Sequence, residues 1–211
     1  MSPRNFEIFS SAVGDKFTSV QSRSGASDRL QIIFDSSRFE LLELDEPQEI
    51  EGIKVNDGNH RSPLIVHLRD RQTDNEMLLA AVHLARRNEE LREQQALGLT
   101  EWARGKTIPM VTIGDFNFDY SFVTHKGNQS FATMMRGYVW QWVKPQEWVD
   151  TNWSGNSQGE DRYPDSMLDF AFVAGKAREW EPVCNVIVRP EDFPDDEKTS
   201  DHRPTELILQ P

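Results

Sequence analysis

The sequence predicts an α/β protein: a sandwich built on a mixed sheet and flanked by helices. Three observations carry that prediction. Short apolar runs bounded by turn residues recur along the chain. These runs outnumber the helical segments. Hairpin-like neighbours alternate with one strand–helix–strand passage, which makes the sheet mixed. No repeat, low-complexity linker or shift in composition divides the 211 residues, so they read as one domain, 1–211.

The elements follow in order. Residues 29–34 and 39–44 read as a hairpin around Asp35 to Arg38, and residues 63–68 and 77–84 as a second pair around Asp70 to Glu76. Residues 88–104 give the clearest helix. On a 100° wheel Leu91, Ala96, Leu99, Trp102 and Ala103 share one side, opposite Glu89, Glu90, Glu93, Glu101 and Arg104. Arg92 and Gln95 fall on the apolar side, where they must either snorkel to the helix edge or find partners. Residues 109–113 are a short buried strand and 128–138 a weaker helix. Residues 168–173, 184–188 and 205–209 complete the strands. Six Trp and 12 Phe supply a sizeable core.

Composition excludes some roles. With 35 acidic against 23 basic residues the formal net charge is −12, whereas a protein that binds nucleic acid through phosphate contacts alone is usually basic. An anionic substrate would have to be met locally, by a metal or a few arginines; Arg86, Arg87 and Arg92 are candidates for such a patch, and a solvated helix start is the alternative for the first two. No apolar run is long enough to span a membrane. The first residues lack a basic region followed by an apolar stretch, which leans toward the cytoplasm and against a signal peptide. A single cysteine, Cys184, rules out an internal disulfide.

Four strand ends carry reactive side chains. After the apolar run at 110–113 comes Gly114-Asp115-Phe116-Asn117. Alternation along an extended chain would send Asp115 and Asn117 one way and Phe116 and Phe118 the other, giving two oxygen donors on an aromatic anchor. Asp and Asn after Gly are also common turn formers, so the segment alone leaves a turn open. His83 ends an apolar strand, where a hydrogen-bonded core histidine is the alternative. Asp169 interrupts the apolar run 168–173, and its burial demands a partner, a histidine or a backbone amide. Asp201 and His202 adjoin just before the last strand, with Pro204 at its start. Hard oxygen donors of this kind suit Mg²⁺ or Mn²⁺. No zinc-type Cys/His spacing, phosphate-binding Gly loop or GxSxG elbow is present.

GDFN, the downstream LDFAFV and SDHRP before a final strand, in that order, resemble the endonuclease/exonuclease/phosphatase superfamily, which has the deoxyribonuclease-I-like fold. The segment RLQIIFDSSRFELLE resembles the strand pair of that family, and His83-Leu84 its histidine–leucine strand end. The helix with Arg92, Gln95, Leu99 and Trp102 agrees as well. The resemblance runs from about Phe6 to Leu209. It implies a sandwich of mixed, mainly antiparallel sheets and a metal-dependent phosphoester hydrolase, of phosphodiesterase or nuclease type. A phosphomonoesterase for a lipid or sugar phosphate, and an inactive binding remnant, are the alternatives. It implies that Asp115 and Asn117 position the attacking water and the phosphate, with Asp115 and Asp201 on the metal. It implies that His202, oriented by Asp169, contacts the phosphate or takes a proton, and that His83 donates to a phosphate oxygen. Arg92 is expected to bind substrate.

One part of the family pattern has no counterpart. The family begins with a strand carrying Asn, then a helix, then a strand ending in Gln-Glu, whose glutamate binds the metal. Gln48-Glu49 and Gln146-Glu147 come too late in the chain, and Glu7 lacks the glutamine and the apolar strand. The expectation is therefore an N-terminally truncated fold, a fragment or a natural short form, whose exposed sheet edges a second copy would cover.

Overall fold

The computed structural model describes residues 2–153, 155, 160, 166–190, 192 and 200–211. Of the acidic stretch 191–197 it therefore describes only Asp192. No helix among the described residues is long and apolar enough to cross a membrane.

The chain opens with helix α1 (Pro3–Val13), which the sequence reading did not anticipate. Its start is written locally: Ser2 caps it by accepting from the Asn5 amide, and proline occupies the first turn, where no N–H is needed. Strands β1 (Phe17–Gln21) and β2 (Gln31–Asp35) then form an antiparallel ribbon. Strand β3 (Phe39–Asp45) does not pair with β2, which corrects the expected first hairpin; it pairs with β6 (Leu64–Asp70) instead. The turn between β2 and β3 is a corner between layers. Ser37 donates to the Asp35 carboxylate through both its amide and its hydroxyl, and Arg38 donates to Asp70 through Nε and Nη2. Packing makes the choice: Ile32 and Phe34 of β2 lie on Leu64, Val66 and Leu68 of β6, so β2 covers the sheet that β3 joins.

Two short strands, β4 (Glu49–Ile50) and β5 (Ile53–Lys54), form a small ribbon against the central helix. The second expected hairpin is present as β6 and β7 (Glu76–His83). The strand–helix–strand passage is present too. Helix α2 (Glu89–Ala103) carries the chain from β7 to β8 (Met110–Ser121), and β7 and β8 are parallel. Asn88 caps α2 at the Leu91 amide, with Glu89 and Glu90 in the first turn, where the helix dipole favours them.

Strand β8 runs past the expected end at residue 113 and through the whole Gly114–Asp119 segment. The helix expected at 128–138 divides into α3 (Gln129–Met134) and a single 3₁₀ turn, Arg136–Tyr138, because Gly137 adopts a left-handed conformation. The remaining strands are β9 (Gln141–Trp142), β10 (Ser166–Ala174), β11 (Val183–Val186) and β12 (Thr205–Ile208). The main sheet has the order β3-β6-β7-β8-β10-β9; β1-β2 and β11-β12 are separate ribbons. Both ribbons share Met77 and Leu79 of β7 as a half-buried floor. Among the described strands β12 pairs only with β11, so its outer edge has no strand beside it.

On the helical side of the sheet Phe116, Phe118, Phe170 and Phe172 are fully buried against Trp140, Trp142, Leu99 and Met134. The Phe116 and Phe172 centroids are 5.0 Å apart, edge to face. Each such side chain contributes on the order of 2–3 kcal/mol by leaving water. This aromatic block fixes β8 and β10 side by side, and the site lies midway along them, where β7 ends.

Candidate active site

Register brings the first residues together. In the parallel pair His83 stands opposite Asp115, and in the antiparallel pair Asp169 stands opposite Asp115. Three strand positions thus meet where β7 ends, midway along β8 and within β10. Gly114 makes this close approach feasible. Its φ is +144°, and a Cβ there would lie 2.1 Å from the Val82 carbonyl oxygen.

The pleat reading of Asp115 and Asn117 needs correction. The two are adjacent, but because the backbone curls. Asn117 has φ +50°, and its amide donates to Oδ1 of Asp115 at 2.9 Å. Its Nδ2 donates to the Leu84 carbonyl at 3.0 Å, and Asn128 Nδ2 holds its own carbonyl at 2.8 Å. Strand and turn readings are both partly right: a turn of Asx type sits within the strand.

His202 reaches the same place from just before β12. Its Nδ1 lies 2.8 Å from Oδ2 of Asp169, and its Nε2 lies 4.0 Å from Oδ2 of Asp115. His83 Nε2 lies 3.3 Å from the same Asp115 oxygen. The partner that Asp169 required is therefore a histidine. Thr151 completes the arrangement. Its buried hydroxyl accepts from the Leu168 and Asp169 amides, and its carbonyl accepts from the Arg203 amide. One threonine thus ties the Asp169 strand to the His202 loop.

The environments separate the three titrating groups. Burial, and then the neighbouring Asp169 charge, push the Asp115 carboxyl up to about 7. Burial, with the Arg61 charge behind it, holds the His83 imidazole down at about 4. Burial would also depress His202, but the Asp169 hydrogen bond and charge, with Asp115 and Asp201 behind them, raise it to about 9. The pocket thus pushes its two imidazoles in opposite directions, His202 up and His83 down, on either side of a carboxyl that is itself raised, the kind of division that assigns acid and base roles.

Two further expected site residues make no hydrogen bond to this cluster. Arg92 is buried and spends Nη1 on the Ala85 and Arg86 carbonyls. With Gln95, which accepts from the Ala85 amide and donates to the Val55 and Arg61 carbonyls, it pins the loop after β7. Its Nη1 is therefore a structural tie, and neither residue snorkels. Asp201 is exposed. Its carbonyl accepts from Trp153 and Asn152, and its carboxylate forms no ion pair with a described residue.

Some residues of the site escaped the sequence reading. Arg61 and Asp28 pair beside His83, and Arg203 is held by Asp192 and by the Asp150 carbonyl. Arg203 follows His202 in the SDHRP motif, which is its signal in the sequence.

Among the described residues no three His, Cys, Asp or Glu side chains converge closely enough to cage a metal. Mg²⁺ does not require a cage; it keeps several waters and is usually held by one or two carboxylates plus substrate phosphate. Asp115, a buried carboxyl crowded by a second acid, fits as such a ligand.

No protein-family model matches the chain. No curated protein matches it in sequence either. Solved structures do. An endonuclease/exonuclease/phosphatase from Bacteroides vulgatus superposes with a TM-score of 0.72 at 16% identity, over 99% of this chain and 82% of its own. A mannosyl-6-phosphatase from Bacteroides thetaiotaomicron gives 0.61 at 17% identity, over 92% and 78%. TDP2 from D. rerio, complexed with a single-strand DNA product, gives 0.66 at 15%, over 97% and 81%. The chain thus has the deoxyribonuclease-I-like fold of the endonuclease/exonuclease/phosphatase proteins.

Proposed function

We propose that this chain is a divalent-metal-dependent phosphoester hydrolase of the phosphodiesterase type. The observation that carries the reading is the convergence of His83, Asp115, Asn117, Asp169 and His202 where β7 ends beside the middle of β8 and β10. A pocket that favours a protonated His202 beside a carboxyl whose proton affinity is raised suits water attack on phosphorus.

The steps assigned to the chain's own residues are these. Asp115 in its carboxylate form orients the attacking water and takes its proton. Asn117 holds Asp115 through its amide. His202, kept protonated by Asp169, donates to a phosphate oxygen as charge builds. His83, neutral, presents a second hydrogen-bonding nitrogen beside Asp115. A bound Mg²⁺ or Mn²⁺, held by Asp115 with Asp201 as a further candidate, would neutralise phosphate charge and stabilise the departing oxygen.

A second reading has its own support. The cavity of about 400 Å³ beside Asn128 is walled by Glu89, Glu90, Glu93 and Asp119 with Arg92 as its single cation among the lining residues, a net acidic wall that disfavours a polyanion. That wall favours a small phosphomonoester, and the similar sugar phosphatase acts on one. The similar TDP2 structure with bound DNA supports the diester. Parallel assays with Mn²⁺ on bis(p-nitrophenyl) phosphate, p-nitrophenyl phosphate and a single-stranded oligonucleotide separate the two. Faster turnover of the diester is expected; turnover of the monoester alone would replace the first reading with the second.

A further inference from the structure

We infer that Arg61 is a positioning residue for this hydrolysis, clamping the His83 end of β7 so that the imidazole meets Asp115; the role rests on the phosphoesterase reading. Arg61 is mostly buried, although it carries an unconditional charge, and such a residue must be paired. Its fork spans two elements. Nε donates to the His83 carbonyl at 3.4 Å, and Nη1 donates to both the carbonyl and the carboxylate of Asp28.

The turn that carries Asp28 is shaped around this side chain. Gly25 has φ +89°, and a Cβ there would lie 2.6 Å from Cγ of Arg61 and 2.5 Å from the Asp28 carbonyl. The Asp28 amide closes the turn on the Gly25 carbonyl at 2.7 Å. The other end of Arg61 is fixed as well, since its carbonyl accepts from Gln95 of α2.

His83 is the last residue of β7, and Leu84 continues the ladder by donating to the Asp115 carbonyl at 2.9 Å. The clamp therefore acts on the one residue of β7 whose ring lies against Asp115. The guanidinium also places positive charge beside both of these groups, which supports the same assignment.

The test compares Arg61→Gln, Arg61→Lys and Asp28→Asn with wild type. Two readouts are used: kcat and KM for Mn²⁺-dependent hydrolysis of bis(p-nitrophenyl) phosphate, and the imidazole ¹⁵N–¹H spectrum without metal. Arg61→Gln is expected to lower kcat by about 10–100-fold with KM changed less than about threefold. The His83 signals should move while those of His67, paired with Glu76 elsewhere, stay in place. Arg61→Lys keeps the charge but cannot span both partners, so it is expected to leave kcat low. Asp28→Asn, on the exposed side of the clamp, should shift His83 in the same direction and by less, and it serves if Arg61→Gln fails to fold. Unmoved His83 signals in a folded variant, wild-type kcat in Arg61→Lys, or a His83 shift with unchanged kcat would each overturn the role. Absence of turnover in the wild type would instead overturn the phosphoesterase reading, leaving the spectra to decide the clamp.

Discussion

Replacing Gly114 with alanine tests the joint on which the site depends. A Cβ at this position would lie 2.1 Å from the Val82 carbonyl oxygen, where real Cβ contacts stay at or beyond 3.0 Å. The blocking atom is backbone in a buried parallel ladder, so it cannot rotate away, and β7 and β8 must part locally by about 0.9 Å. Gly114→Ala also places a side chain at φ +144°. Strained backbone costs about 1–3 kcal/mol, and a loosened ladder hydrogen bond about 1 more, so the expected destabilisation is about 2–4 kcal/mol. The same movement draws His83 away from Asp115, and a displacement near 1 Å costs about 10²-fold in rate. Urea unfolding monitored by circular dichroism gives the stability, and the metal-dependent hydrolysis assay gives the rate. Gly105→Ala is the control, since Gly105 also has positive φ but nothing within 4 Å of a Cβ; it should lose only about 1 kcal/mol. Wild-type stability and turnover in Gly114→Ala would refute the reasoning.

Further outcomes follow from the same geometry. In Asp169→Asn the His202 imidazole should titrate at least about one unit lower than in wild type, because burial then dominates; NMR titration reads this directly. The sign for stability is fixed by the raised value: the His202–Asp169 pair contributes fully below the unfolded pKa of about 6.5, and the contribution is lost as pH rises through about 9. Asp169→Asn should therefore flatten the alkaline limb of a stability-versus-pH curve, and an unchanged limb would count against the pair. Gln95→Ala leaves the Ala85 amide and the Val55 carbonyl buried without partners, so it should cost about 2–4 kcal/mol in urea melts. Arg92→Met should likewise lower stability while leaving KM within about twofold; a large rise in KM would restore Arg92 to the substrate. The Asp70 carboxyl is held below its ordinary value by amide and Arg38 hydrogen bonds against the opposing effect of burial. Its contribution is present above the ordinary carboxylate pKa and is lost as pH falls through the lowered one, so Asp70→Asn should reduce acid sensitivity in the same melts.

Much of this could be read along the chain because it is written locally. The β6–β7 hairpin, the α2 helix and the parallel return into β8 announce themselves by periodicity and turn residues. The corner at Asp35–Arg38 does not: the same residues suit a hairpin, and only the packing of Ile32 and Phe34 on β6 decides that β3 joins the other layer. Helix α1 carries its signal in Ser2 and the following proline, a cap and a first-turn residue. Strands β4, β5 and β9 are two residues each, too short for any period. At the site, the motifs at the ends of apolar runs point to His83, Asp115, Asn117, Asp169 and His202. The Asn117 turn and the Thr151 tie could not be read, because they depend on a positive φ and on contacts between distant segments. Arg61 sits in a polar loop with no motif, and only its contact with the His83 carbonyl distinguishes it.

Mn²⁺-dependent hydrolysis of bis(p-nitrophenyl) phosphate by the wild type, Asp115→Asn and His202→Ala bears most directly on the proposed chemistry. Turnover in the wild type that drops by about 10² or more in each folded variant is the predicted result. A wild-type chain without activity, or one whose rate survives both substitutions, would contradict it.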